Sequence, residues 1–377
     1  MKLLRITAKN FRNCRDDFSI DFVSKADKSD EDMVYELQEI APGLYTFNNM
    51  AFVGKNASGK TTAIELIASC YRILDEFQIS DNNYFNNNEE LEIFFFHEGS
   101  IYKYTTKLLV KSIRPDVFFE NEHIYMKKYN KRKAGSIFEN SDFKEMNIEK
   151  QLPPNISILY YILENISNNC IYCSVDLTDS KTDFYKFSFD LIDEYRISLD
   201  VFNCILKLFD NNVKNLERQE NGNYLLNYKG APLEMSSSQL KSFLSSGTTK
   251  GIETYIAMAV ALSNGISLII DEIEDHFHKT LVENMISLFK EPLINKKHAT
   301  LIFTTHYCEL LDLFNRKDNI WITKSDEQIY IENMYENYND ISSGLKSRQF
   351  YNNVFDTAVN YDDLMALKKA LKRGASK

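Results

Sequence analysis

The sequence predicts an α/β fold: a mixed β-sheet flanked by helices, an antiparallel β lobe beside it, and a mainly helical insertion. Three observations predict it. A strand-like run, LYTFNNMAFV (44–53), leads into a glycine-bearing polar loop and then a helix-periodic stretch. In the second half, the helix-periodic IETYIAMAVAL precedes two apolar strand-like runs, ISLII ending at Ile270 and ATLIFTTH ending at His306. Alternating segments with tight-turn signals supply the antiparallel part.

The bulk properties agree with that class. A length of 377 residues favours two domains or one large interrupted domain, and 44% apolar residues with 26 Phe and 22 Tyr exclude wholesale disorder. The net charge of −10 excludes a chain-wide coat of nonspecific nucleic-acid contacts and leaves a local basic groove open. No stretch reaches the roughly eighteen apolar residues of a membrane span. The opening MKLLRITAKN has charges where a signal peptide continues its apolar core, so a soluble, cytoplasmic protein without a membrane partner is expected. The six cysteines are scattered and expected to be reduced; Cys170 and Cys173 form one C-x-x-C without the second pair or His that a zinc site needs.

Glycine is scarce, 12 in 377, well under the usual ~7%, so each glycine is expected to have a backbone reason. The first cluster is Gly54-Lys55-Asn56-Ala57-Ser58-Gly59-Lys60-Thr61, a G-x-x-x-x-G-K-[ST] loop between a strand and a helix. Its glycines let backbone N–H groups turn inward around a polyphosphate at a helix N-terminus. Lys60 reaches the outer phosphates and the Thr61 hydroxyl ligates Mg²⁺. Gly54, Asn56, Ala57, Ser58, Gly59, Lys60, Thr61 and Thr62 are therefore the expected ATP contacts.

The second cluster, Leu244-Ser245-Ser246-Gly247-Thr248-Thr249-Lys250-Gly251, precedes a helix. Alone it reads as an ordinary helix cap, a helix N-terminus rich in hydroxyls and glycines. Its position adds a second reading, because Asp271 follows 26 residues after Ser245, at the end of ISLII, with Glu272 directly behind it. A carboxylate at such a strand end is the expected Mg²⁺ holder, and the next one can polarise the attacking water. His306 closes the following strand, 34 residues after Glu272, within reach of a γ-phosphate.

The order phosphate loop, LSSG loop, DE, TTH resembles the ABC-type ATPase heads of the SMC and RecF kind, and KNFRN (Lys9 to Asn13) resembles the first strand and turn of RecF-like proteins. More closely, DEIEDHFH (271–278), FTTHY (303–307) and RKDNIW (316–321) resemble the small ATPases grouped with the OLD family and with bacterial abortive-infection and phage-defence operons. The resemblance covers about 1–110 and 200–325. It implies a P-loop NTPase head that dimerises around two ATPs. The roles it implies are Ser245, Ser246 and Gly247 acting in trans on the partner's γ-phosphate, Glu272 as the water-activating base, Asp271 holding Mg²⁺ through water, and His306 as the switch histidine. Arg12 and Asn13 are its lesser nucleotide contacts. The chain departs from the pattern at Thr248, where many such heads carry Gln or Glu, and at Lys279, where the small ATPases often carry Pro.

The expected organisation is 1–134 as the first part of the head, 135–212 as a helical insertion, 213–335 as the second part and 336–377 as a helical tail. Hairpins around Glu98-Gly99 and Asn221-Gly222 are expected to finish the β lobe. Helices are expected within 156–167, 195–212 and 361–374, without the sustained heptads of coiled-coil arms. Lys127, Lys128, Lys131, Arg132 and Lys133 read either as a solvated loop or as a nucleic-acid backbone contact. The 56 residues after Trp321 are too few for the nuclease domain that OLD proteins carry. The resemblance therefore implies a separate effector, such as a nuclease, controlled by this ATPase; a RecF-like ATPase acting on DNA in repair is the alternative.

Overall fold

The computed structural model describes residues 1–79, 85, 88–110, 117–164, 170–173, 184–244, 246–275, 278–338, 344–355 and 361–374. The N-terminal part runs β1 (Lys2–Lys9), β2 (Phe18–Asp21), α1 (Asp30–Tyr35), β3 (Leu37–Ala41), β4 (Leu44–Phe47), β5 (Asn49–Val53), α2 (Lys60–Glu76), β6 (Glu89–His97), β7 (Ser100–Val110) and β8 (Val117–Lys128). The middle supplies β9 (Lys144–Glu145), α3 (Tyr160–Leu163), β10 (Cys170–Cys173), α4 (Phe184–Glu194) and α5 (Leu199–Phe209). There follow β11 (Val213–Arg218), β12 (Tyr224–Tyr228), β13 (Ala231–Met235), α6 (Ser237–Phe243), α7 (Ser246–Asn264), β14 (Ser267–Ile270), α8 (Lys279–Lys290) and β15 (Thr300–Thr305). The chain closes with β16 (Ile320–Ser325), β17 (Ile329–Asn333), α9 (Met334–Tyr338), α10 (Lys346–Tyr351) and α11 (Tyr361–Gly374).

The central sheet has the order β10-β14-β15-β5-β16-β17, parallel except for the edge strand β17. Every residue of β5, β14 and β15 is buried, which is why these segments read as continuous apolar runs rather than alternating ones. Their side chains divide between two cores. Met50, Phe52, Ile269 and Ile302 join α2 and the antiparallel sheet, whereas Ala51, Val53, Leu268, Ile270, Leu301 and Phe303 join α7 and α8. Register then places the site: Val53 pairs with Thr305 and Ile270 with Phe303, so Gly54, Asp271 and His306 leave adjacent strands at nearly one level. The carboxyl ends of parallel strands are where such sheets form ligand crevices.

The second sheet, β2-β1-β6-β7-β8-β9, is antiparallel. Its β6–β7 hairpin turns on Glu98 and Gly99, both at positive φ (45° and 71°), the geometry that matches strand twist in a two-residue turn. The Asn221-Gly222 hairpin also forms, but not in this lobe as the sequence suggests. With β13 it makes a separate three-stranded sheet, because its apolar residues Val213, Leu216 and Leu226 pack into the α7 core. The run 44–53 is likewise two strands rather than one. Asn48 breaks it by donating its backbone and side-chain N–H groups to the carbonyls of Glu36 and Tyr35, at 2.9 and 2.8 Å.

Within 135–212, α3, α4 and α5 supply the helices, while β9 extends the antiparallel sheet and β10 pairs with β14. Only Tyr160–Leu163 of the expected 156–167 helix is helical among the described residues. Helix α5 explains one glycine: a Cβ on Gly251 of α7 would lie 2.1 Å from Cε1 of Phe209. The basic loop is partly tied down, with Lys127 donating to the carbonyl of Glu139 (2.9 Å) and lying over the Phe143 ring, and Lys133 paired with Asp142. In the tail, α10 packs on the 3₁₀ turn Cys308–Leu313, where Ser347 donates its backbone N–H to Asp312 (3.0 Å) and Tyr351 its hydroxyl to Glu309. No helix among the described residues is long and apolar enough to cross a membrane.

Candidate nucleotide site

The loop 54–61 is held tight by contacts that only small residues permit. A Cβ on Gly54 would lie 2.4 Å from both Ser58 Oγ and Thr323 Oγ1. Ser58, fully buried, shares a 2.6 Å hydrogen bond with Thr323 of β16, so the loop is stitched to a strand distant in sequence. Ala57 (φ 60°) and Gly59 (φ 99°) take left-handed conformations that turn the loop, and Ile329 of β17 packs so closely that a Cβ on Gly59 would lie 2.4 Å from its Cγ2. Helix α2 then starts with no side-chain cap and no acidic residue in its first turn. Its first N–H groups and the positive end of its dipole suit a phosphate.

Lys60 lies inside this curve. Its Nζ donates to the carbonyls of Gly54 (3.0 Å) and Lys55 (3.2 Å), and the residue is 6% exposed. Burial lowers its pKa from the ordinary lysine value, with Glu272, Asp271 and Glu274 opposing that shift. Three carboxylates facing one ammonium leave a local excess of negative charge, which suits a site that takes a divalent cation together with a polyphosphate.

The donor set fits Mg²⁺. Asp271, 8% exposed, accepts a hydrogen bond from the Thr61 hydroxyl (2.8 Å) on one oxygen and from the Thr304 hydroxyl (2.5 Å) on the other. The Thr61 proton is thereby directed at Asp271, which leaves the Thr61 lone pairs for a hard cation and Asp271 behind it. Thr304 also accepts from the Glu272 backbone N–H at 2.7 Å. That bond accompanies the strained Glu272 backbone (φ 50°), which carries its carboxylate into the cleft, with one oxygen 3.6 Å from His306 Nε2. An acid and an imidazole so placed can position and deprotonate a water.

Asn56, Ala57, Gly59, Lys60, Thr61, Thr62, Glu272, His306 and Ile329 line a cleft of about 680 Å³. The fold brings the phosphate loop, Glu272 and His306 together here, with Asp271 behind Thr61. Arg12 is placed differently: its guanidinium pairs with Glu65, one turn after Thr61 on α2, and its backbone N–H donates to Glu89 (3.3 Å). Asn13 donates its side-chain N–H to the Glu327 carbonyl (3.1 Å) and accepts from the Ile329 N–H (2.7 Å), bracing the strand that closes over Gly59. Ser246 and Gly247 open α7, and Ser245 lies outside the described residues. Lys250 in the first turns of α7 pairs with Asp275 at 3.0 Å, linking that helix to the loop after β14.

Sequence reasoning misses Thr304, Thr323, Ile329 and Glu274. Thr304 stands in the TTH run, two residues before His306, and Thr323 has no motif around it. No curated protein matches the chain at a significant level. A family profile described as "AAA domain, putative AbiEii toxin, Type IV TA system" matches residues 50–312, more than two thirds of the chain and every strand that carries the phosphate loop, Asp271, Glu272 and His306. The chain therefore belongs to this family of AAA domains, with the α/β fold of a P-loop NTPase.

Proposed function

We propose that the protein is an ABC-type ATPase that binds and hydrolyses Mg-ATP, and that ATP-driven dimerisation controls a separate effector in anti-phage defence. The observation that carries the reading is the meeting of the phosphate loop, Asp271, Glu272 and His306 at the ends of three adjacent parallel strands. ATP phosphates would be held by the loop backbone and Lys60, and Mg²⁺ by Thr61 with Asp271 behind it. Glu272 would take the proton of the attacking water, and His306, beside it, would contact the γ-phosphate side of the site.

Dimerisation is supported by how open the cleft is. The Glu272 and His306 side chains are 41% and 36% exposed, whereas phosphoryl transfer gains from a water-excluded site. A second copy laying Ser245, Ser246 and Gly247 over the cleft would close it. The effector role rests on the family's description, which names a toxin and a type IV toxin–antitoxin system, and on the sequence resemblance to defence-operon ATPases.

Light scattering of Glu272→Gln with and without Mg-ATP tests the assembly. We expect ATP to double the mass and Ser245→Arg, in the same background, to keep it monomeric. A mass unchanged by ATP, or an assembly unaffected by Ser245→Arg, would contradict the trans arrangement.

A further inference from the structure

We infer that Glu274 is a positioning residue for ATP hydrolysis: it holds the backbone of His306 so that the imidazole stands against Glu272. The inference rests on the ATPase reading above. After Asp271 the chain is stapled to the end of β15 by three consecutive residues. Glu272 donates its N–H to the Thr304 hydroxyl (2.7 Å), Ile273 donates its N–H to the Thr304 carbonyl (3.1 Å), and Glu274 accepts the His306 N–H on Oε1 at 2.5 Å. Ile273 between them is fully buried, so the loop alternates outward, inward, outward. Glu272 faces the cleft and Glu274 turns back to the histidine.

A backbone N–H needs only an acceptor, and a carbonyl or hydroxyl meets that need without a charge. Here a carboxylate serves it. Its second oxygen, Oε2, is buried with no hydrogen-bond partner among the described residues. A buried carboxylate oxygen without a protein partner calls for a role beyond holding a backbone N–H, in catalysis or toward a water or ion of the cleft. Its charge acts on Lys60 of the phosphate loop and on Cys308, two residues past His306. Because the bond goes to the His306 backbone, moving Glu274 shifts the whole imidazole relative to Glu272, 3.6 Å away. A displacement of that kind costs rate rather than affinity.

Steady-state ATP hydrolysis and Mg-ATP binding, measured for Glu274→Ala, Glu274→Gln, His306→Ala and the Glu274→Ala/His306→Ala pair, test this. Glu274→Ala is expected to lower kcat by about 10²-fold with the ATP Kd unchanged. Glu274→Gln keeps an acceptor oxygen and is expected to recover most of the rate. In the His306→Ala background Glu274→Ala should add nothing, since it acts through that imidazole. Additive losses in the pair, a Kd that weakens in step with kcat, or wild-type turnover in Glu274→Ala would each overturn the positioning role. The unsubstituted protein in the same assay separates the two claims: absence of ATP turnover there removes the ATPase reading itself, whereas wild-type turnover in Glu274→Ala removes only the inference.

Discussion

Lys60 illustrates how one side chain is prepared for a charged ligand. It is withdrawn from solvent, satisfied by two loop carbonyls, and shifted toward neutrality by burial while three carboxylates pull it back. A bound polyphosphate raises its pKa again, so free and bound states differ in proton affinity and binding is linked to pH. Below the lowered pKa of the free protein both states are charged and affinity is flat. Above it, binding must take up a proton, and affinity is expected to fall about tenfold per pH unit, earlier on the alkaline side than an ordinary lysine would dictate. Titration calorimetry of ATP across that range checks the slope, and Lys60→Ala should abolish both the binding and its pH dependence.

At the scale of elements, strand β16 is central. Thr323 on it ties down Ser58 of the phosphate loop, and the approach to the strand is fixed by Arg316. That guanidinium forms a bidentate pair with Asp318 (2.9 and 2.7 Å), meets Asp32 at 3.0 Å, and donates to Ser24 and to the carbonyls of Ala26 and Asp27. It thus clamps the segment before α1 onto the central sheet. Arg316 and Asp318 have side chains only 2% and 1% exposed, so Arg316→Ala leaves an uncompensated buried charge. We expect it to cost about 3–5 kcal/mol, seen as a lower urea midpoint at unchanged slope. Little of this was legible in the sequence: RKDNIW stands out as a family resemblance, yet apart from Asp318 inside the run the partners of Arg316 lie nearly 300 residues away. The same limit applies to the hairpins. Glu98-Gly99 and Asn221-Gly222 announce their turns because turn chemistry is local, whereas the sheet each hairpin joins depends on which core its apolar face meets. The break at Asn48 was hidden for a similar reason, since it depends on carbonyls of Tyr35 and Glu36.

For the whole molecule, the fold's main consequence is that three strand ends far apart in the chain deliver one chemical site. The parallel order β14-β15-β5 sets Asp271, His306 and the phosphate loop side by side, and the motifs for each were readable because their chemistry is local. The groups that set their geometry, Thr304, Thr323 and Glu274, were not readable, because their roles exist only once β15 lies between β14 and β5 and β16 lies on the other side of β5. The reaction proposed for this site is ATP hydrolysis with Glu272 as base. The most direct measurement is phosphate release by Glu272→Gln alongside its Mg-ATP affinity. Wild-type affinity with turnover reduced by about 10²-fold or more is expected; wild-type turnover with intact binding would place the base elsewhere.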